Sequence, residues 1–142
     1  MLPIEIRVGY IFRYSYLWHR QHLEGREEGD KDRPCLVLAS IKLDDGSFAV
    51  RALPVTHAPP DDPADAIEIP RLVKERFRLD EGRSWIVVTE SNRFVWPGPD
   101  LRPVESETGY YGAIPPAIFA EAKRRFVALA KAHSHASVQR TA

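Results

Sequence analysis

Residues 33–57 read RPCLVLASIKLDDGSFAVRALPVTH, and this stretch decides the fold. After the Arg33-Pro34 step, Cys35 to Ser40 is a short, uninterrupted apolar run of the kind that forms a buried strand. Asp44-Asp45-Gly46 is a hairpin turn signal. Phe48 to Thr56 is the return strand, and Pro54, which has no N–H to give to a ladder, places its end at an edge or bulge. A hairpin of this kind sets Arg33, at the start of one strand, near Thr56, at the end of the next.

On the N-terminal side, Val8 to Trp18 predicts a first strand, with Tyr10, Phe12, Tyr14 and Tyr16 in alternation. His19 to Asp32 is polar, charged and glycine-containing, which predicts a mobile loop. On the C-terminal side, residues 57–65 are rich in Pro and Asp and form a loop. A short strand over Ala66 to Ile69 follows, then one or two helical turns over Pro70 to Arg78, with Pro70 at the first helical position. Ser84 to Glu90 is a strong strand, and Asn92 to Trp96 extends it past a bend. Residues 98–109 read as loop. Pro116 to Ala132 carries Phe119, Ala122, Phe126, Leu129 and Ala130 at helical spacing and is the one convincing helix. The expected architecture is mainly β with a C-terminal helix: a small, strongly bent barrel with the helix packed on it. A single domain over residues 1–133 and a disordered tail over 134–142 complete the expected organisation.

Composition narrows the function classes. An apolar fraction of 44% with 28% charged residues fits an ordinary globular domain. No apolar run approaches the ~20 residues that span a bilayer, so no membrane association is expected. The N-terminus lacks a basic segment followed by a long apolar one, and the single cysteine, Cys35, rules out an internal disulfide. A cytoplasmic location is expected. Twenty basic residues balance 20 acidic ones, which counts against a non-specific nucleic-acid coat but leaves room for a local basic cleft.

Arg33 is the first chemical candidate. A guanidinium is a rigid fork of donors that stays charged, so it suits a phosphate or a phosphorane-like transition state. The plainer alternative is a surface ion pair. Thr56 can donate to a phosphate oxygen, or it is an ordinary β-branched strand residue. His57 is a proton carrier by type, but in an extended chain it points away from Thr56, which makes it a secondary candidate. Arg13, His19, Arg20 and Arg26 could border a phosphate backbone. Glu24, Glu27 and Glu28 favour instead a solvated loop. His19 and His22 lack further ligands at convincing spacing, so neither metal nor cofactor is expected. Glu90, Asn92 and Arg93 follow the strongest strand, where polar groups can touch a substrate or close a turn. Cys35, flanked by apolar residues, is expected to be an inert core thiol.

These residues, taken in order, resemble the MazF/PemK-like toxins of type II toxin-antitoxin systems. Gly9-Tyr10-Ile11-Phe12 is similar to the family's opening strand. Lys31-Asp32-Arg33-Pro34-Cys35-Leu36-Val37-Leu38 is similar to its Arg-Pro strand, and Ala52-Leu53-Pro54-Val55-Thr56 to the strand that ends in threonine. Residues 85–93, WIVVTESNR, are similar to a third strand, which ends in a glutamate and is followed by an arginine. The likeness covers residues 8 to 130. It implies an SH3-like barrel, a homodimer, and metal-independent cleavage of single-stranded RNA (mRNA), with the ribose 2′-hydroxyl attacking and a cyclic phosphate left behind. Arg33 and Thr56 are the implied catalytic pair; Arg13, His19, Arg20, Glu90 and Asn92 are the candidate substrate contacts. The implied partners are RNA and a cognate antitoxin protein, which competes for the loop at His19 to Asp32. Residues 108–116, TGYYGAIPP, lie outside the family pattern. The alternatives are a catalytically inactive SH3-like barrel that binds nucleic acid or a partner peptide, and a structural or regulatory domain with no nucleic-acid role.

Overall fold

The structure is a computed structural model that describes residues 1–140. Its frame is the hairpin of β2, Arg33–Lys42, and β3, Phe48–Thr56, preceded by β1, Tyr10–Tyr14. The turn forms at Asp44-Asp45-Gly46. Gly46 has φ +88°, and the Leu43 N–H donates to the Ser47 carbonyl at 2.8 Å. Strand β2 lies between β1 and β3, both antiparallel, with Cys35 opposite Phe12 on one side and Pro54 on the other. A register shift between Val37 and Ala39 bends β2.

Strand β3 changes partner along its length. Ala49 to Ala52 pair with β6, Glu90–Val95, whereas Val55 and Thr56 pair with β5, Trp85–Val87. Pro54, which has no N–H to donate, sits between these two stretches and is paired with Cys35 on the β2 side. The strand expected over Ser84 to Glu90 is the shorter β5, and the extension expected over Asn92 to Trp96 is a separate strand, β6, which starts at Glu90. The remaining strands are β4 (Ala66–Glu68), β7 (Leu101–Arg102), β8 (Gly112–Ala113) and β9 (Ala136–Gln139). The main path runs β4-β5-β3-β2-β1-β7, and no pairing joins its two ends among the described residues. The architecture is a mainly antiparallel sheet with a C-terminal helix.

Two apolar clusters fill the two sides of this sheet. One is aliphatic and gathers Ile11, Leu36, Leu53 and Ile86 with Val73 and Phe77 of α2, Arg71–Arg76, and its end, and Ala122 of the long helix. The other is aromatic and gathers Phe12, Tyr14, Tyr16, Phe94 and Tyr110 with Cys35. Ile11 and Phe12 are both fully buried, one in each cluster, so the first strand is covered on both faces. It is shorter than the expected 8–18 span. Residues 108–116 have a structural role: Gly112 and Ala113 add an edge strand to β1. The Tyr110 hydroxyl donates to the Glu5 carbonyl at 2.6 Å and accepts the Arg7 N–H at 3.0 Å, which fastens the N-terminal arm.

Two further expectations are corrected. The loop at His19 to Asp32 begins with a helical turn, α1, His19–Leu23. It is held down by Gln21, 1% exposed, whose amide donates to Asp30 at 2.6 Å. The segment expected as a disordered tail contains β9, which runs parallel to β6, after the long helix α3, Pro116–Lys131. The reason is a buried polar node. Arg140 donates to the Ser15 carbonyl at 2.7 Å and to Asn92 Oδ1 at 3.0 Å, and it pairs with Asp100 at 3.0 Å. Residues 141 and 142 of that expected tail lie outside the described residues. No helix is long and apolar enough to cross a membrane among the described residues.

Asn92 is wholly buried. It accepts the Leu17 N–H at 2.9 Å and donates to the Leu17 carbonyl at 2.7 Å. Asn92→Ala strands both Leu17 groups and one Arg140 donor, so it lowers stability by about 2–4 kcal/mol, measured as a fall in the urea midpoint.

Candidate functional site

The hairpin register brings the two ends of residues 33–57 together. Arg33 opens β2 and Thr56 closes β3, and both line a small cavity of about 170 Å³ with His57, Lys31, Asp80 and Ser84. Arg33 is half-buried. Its Nη1 donates to the Val55 carbonyl at 3.3 Å, and its guanidinium lies 4.8 Å from the centre of the Trp18 ring. Its Nε is buried without a hydrogen-bond partner. The nearby carboxylates are engaged elsewhere: Asp32 with Arg13 at 3.6 Å and Arg102 at 3.3 Å, and Asp30 with Arg26. Among the described residues no carboxylate pairs with Arg33. Burial pulls its pKa below the usual arginine value, and the charge of Arg20 adds to that. The protein thus holds a partly desolvated cation with no neutralising partner, an arrangement that attracts an anion.

Thr56 accepts the Ala58 N–H at 3.1 Å. That bond uses a lone pair and leaves the hydroxyl proton free to donate. His57 departs from the strand-alternation argument. It lies one residue past the end of β3, in a bend, where the period of two no longer applies, and it lines the same cavity as Thr56. Its Nδ1 faces the Arg83 carbonyl at 2.9 Å and Ser84 Oγ at 3.2 Å. Its Nε2 faces Asp80 Oδ2 at 2.9 Å. A carbonyl only accepts, so Nδ1 carries a proton. The contact with Asp80 is a hydrogen bond when Nε2 carries one too.

Asp80 is held from the other side by Lys74. The Lys74 side chain is 5% exposed, and its ammonium lies 2.8 Å from Asp80 Oδ1 and also donates to the Gly82 carbonyl. These bonds, the Lys74 one foremost, hold the Asp80 carboxyl below its ordinary range. Lys74, Asp80 and Ser84 come from the segment after β4. Nothing in their sequence spacing marks them, since α2 and the turn after it are what bring them to the end of β3.

The other sequence candidates divide. Arg13 and Arg20 are exposed. Arg13 is tied to Asp32, whereas Arg20 acts on Arg33 through its charge. His19 starts α1, and its backbone N–H donates to Glu90 Oε1 at 2.9 Å. Glu90 also accepts the Tyr16 hydroxyl at 3.0 Å. Glu90 and Asn92 are not on the cavity wall. Strand β6 turns Asn92 into the buried node, where its polar atoms are committed, and this corrects its expected role as a substrate contact. Glu90 fixes the start of the loop that carries Lys31 and leads into Arg33. Gly29 serves the same loop, since a Cβ there would lie 2.1 Å from the Tyr16 carbonyl oxygen. Cys35 is fully buried, and burial drives its thiol pKa far up, so it stays protonated and inert.

No family model, curated protein or solved structure matches this chain.

Asp80 supplies a pH signature. A carboxyl whose pKa is lowered by folding stabilises the protein above its unfolded value, about 3.9. That contribution is lost as the pH falls through the lower folded value. Asp80→Asn therefore lowers Tm at neutral pH, and its gap to the wild type narrows as the pH falls below about 3.9. Thermal melts of both proteins across that range measure it.

Proposed function

We propose that this protein is a metal-independent endoribonuclease of the MazF/PemK-like toxin type, built as an SH3-like barrel, which cuts single-stranded RNA and thereby inhibits growth. The observation that carries this reading is the shared cavity of Arg33 and Thr56. It offers a half-buried guanidinium without a carboxylate and a hydroxyl free to donate. In this mechanism the 2′-oxygen of the substrate attacks the adjacent phosphorus, and the bond from phosphorus to the 5′-oxygen breaks. Arg33 neutralises the charge that builds on the non-bridging oxygens, which is the electrostatic part of catalysis. Thr56 donates to one of those oxygens and fixes the phosphate against Arg33. His57, on the same wall, is the residue type suited to carry a proton to or from the reacting oxygens. The resemblance further proposes a cytoplasmic homodimer that is silenced by an antitoxin protein at the loop of residues 19–32.

A second reading is a catalytically inactive domain that binds nucleic acid or a peptide. Its support is the balanced net charge and the engagement of both His57 nitrogens by protein acceptors. The two readings differ in product: a binding module retains RNA in a salt-dependent way and releases no fragments.

Incubation of purified protein with a mixed-sequence RNA in EDTA tests the first reading. Cleavage with 2′,3′-cyclic phosphate ends is expected. Arg33→Ala should lower the rate by about 10²–10³-fold, with a stability change within about 1 kcal/mol. Undiminished cleavage by this variant removes Arg33 from the mechanism.

A further inference from the structure

We infer that Arg76 and Arg78 form a second phosphate-binding site, which takes the backbone of a single RNA strand as it leaves the Arg33 cavity. The identity of the ligand rests on the RNA-cleavage reading; the site itself rests on the following geometry. A cleft of about 450 Å³ lies between the end of α2 and the 104–111 segment, and Arg76, Arg78, Ser106 and Tyr111 are on its walls. Chain continuity places it beside the first cavity, because Arg78 lines the cleft and Leu79 lines the cavity. Leu79 and Tyr111 also pack on the same apolar cluster.

Charge pairing separates these two arginines from their neighbours. Arg71 pairs with Glu75 at 3.7 Å and Arg83 with Glu68 at 2.7 Å. Among the described residues no carboxylate lies within ion-pair distance of Arg76 or Arg78, although Glu105 is on the cleft wall. Arg76 is preorganised: its Nη2 donates to the Ala113 carbonyl at 3.2 Å, and its guanidinium stands 5.2 Å from the Phe77 ring centre.

The backbone of Arg78 is the second observation. Helix α2 ends in a left-handed cap, in which the Arg78 N–H donates to the Glu75 carbonyl and the Leu79 N–H to the Lys74 carbonyl, both at 3.0 Å. Arg78 takes the left-handed position with φ +57°, where glycine is the favoured residue. An arginine there is poorly suited to the backbone, and its side chain makes no ion pair in return. The two cap bonds account for the backbone conformation, and what they leave unexplained is a cationic side chain at a position that favours glycine. Tyr111, partly buried on the same cleft wall, is the residue type on which a base next to a bound phosphate stacks. An unbranched polyanion fits this arrangement better than an isolated ion, because two cationic sites lie on either side of the Arg78-Leu79 step.

The test is fluorescence anisotropy with 2′-O-methyl RNA, which lacks the attacking hydroxyl and stays whole. A short oligomer confined to the Arg33 cavity is compared with a longer one. Arg78→Gly should fold with an equal or higher Tm, since glycine suits the cap. It should bind the longer oligomer on the order of tenfold more weakly, and its salt slope should fall by about 0.7 for each phosphate it no longer neutralises. Binding of the short oligomer should not change. Arg76→Gln should act the same way, and Arg33→Ala should preserve the advantage of the longer oligomer. Unchanged affinity and slope in both Arg78→Gly and Arg76→Gln overturn the proposal. So does a wild type that binds no RNA, and so does displacement of the longer oligomer by polyglutamate at matched charge. A wild type that binds the longer oligomer through these arginines yet cuts no RNA refutes the nuclease reading and leaves this site standing.

Discussion

Strand β3 has one free edge and two strands to satisfy on it. Its first half is committed to β6 and its last two residues to β5. Pro54, which has no N–H to donate, falls between these two stretches. The sheet consequently turns, and it encloses an aliphatic cluster on one side and an aromatic cluster on the other. The end of β3 is carried out of the main sheet toward β5. This divergence leaves space at Thr56 and His57, and it is why a cavity exists beside Arg33 at all.

The loop before β2 is held by polar bonds rather than by apolar burial. Glu90 accepts from Tyr16 and from the start of α1, Gln21 bonds Asp30, and Asp32 draws in Arg13 and Arg102. Buried or half-buried polar groups must be paired to be tolerated. Nearly every carboxylate near the site is consumed in this way, and Arg33 is left without one. The unpaired state of Arg33 therefore follows from how its neighbours are committed.

The hairpin was legible in the sequence because everything that makes it is local: an apolar run, Asp-Gly in the turn and the return strand. Its register then placed Arg33 beside Thr56. The helix over residues 116–131 was legible for the same reason, as its apolar residues recur every three or four positions. What escaped was non-local. Strand β9 pairs in parallel with β6, across more than forty positions, and its short polar sequence carries no periodic signal. Asn92 looked like a surface group since a single sequence does not reveal that Leu17 and Arg140 surround it. His57 was misplaced because alternation was carried one residue beyond the strand that obeys it. Asp80 and Lys74 had no sequence signal, since only the packing of α2 brings them to His57.

The Asn92 node has a kinetic meaning. Its last member, Arg140, lies 48 positions from Asn92 and 125 from Ser15. Loops of that length close at a substantial entropic cost, and such contacts form late. Until they do, Asn92, Asp100 and the Ser15 carbonyl face each other without the cation that reconciles them. The β2–β3 hairpin, with its short-range contacts, can form well before this. The two ends of the candidate site would thus meet early, while the surrounding sheet stays open until the C-terminal strand docks and sets the rigidity of the whole.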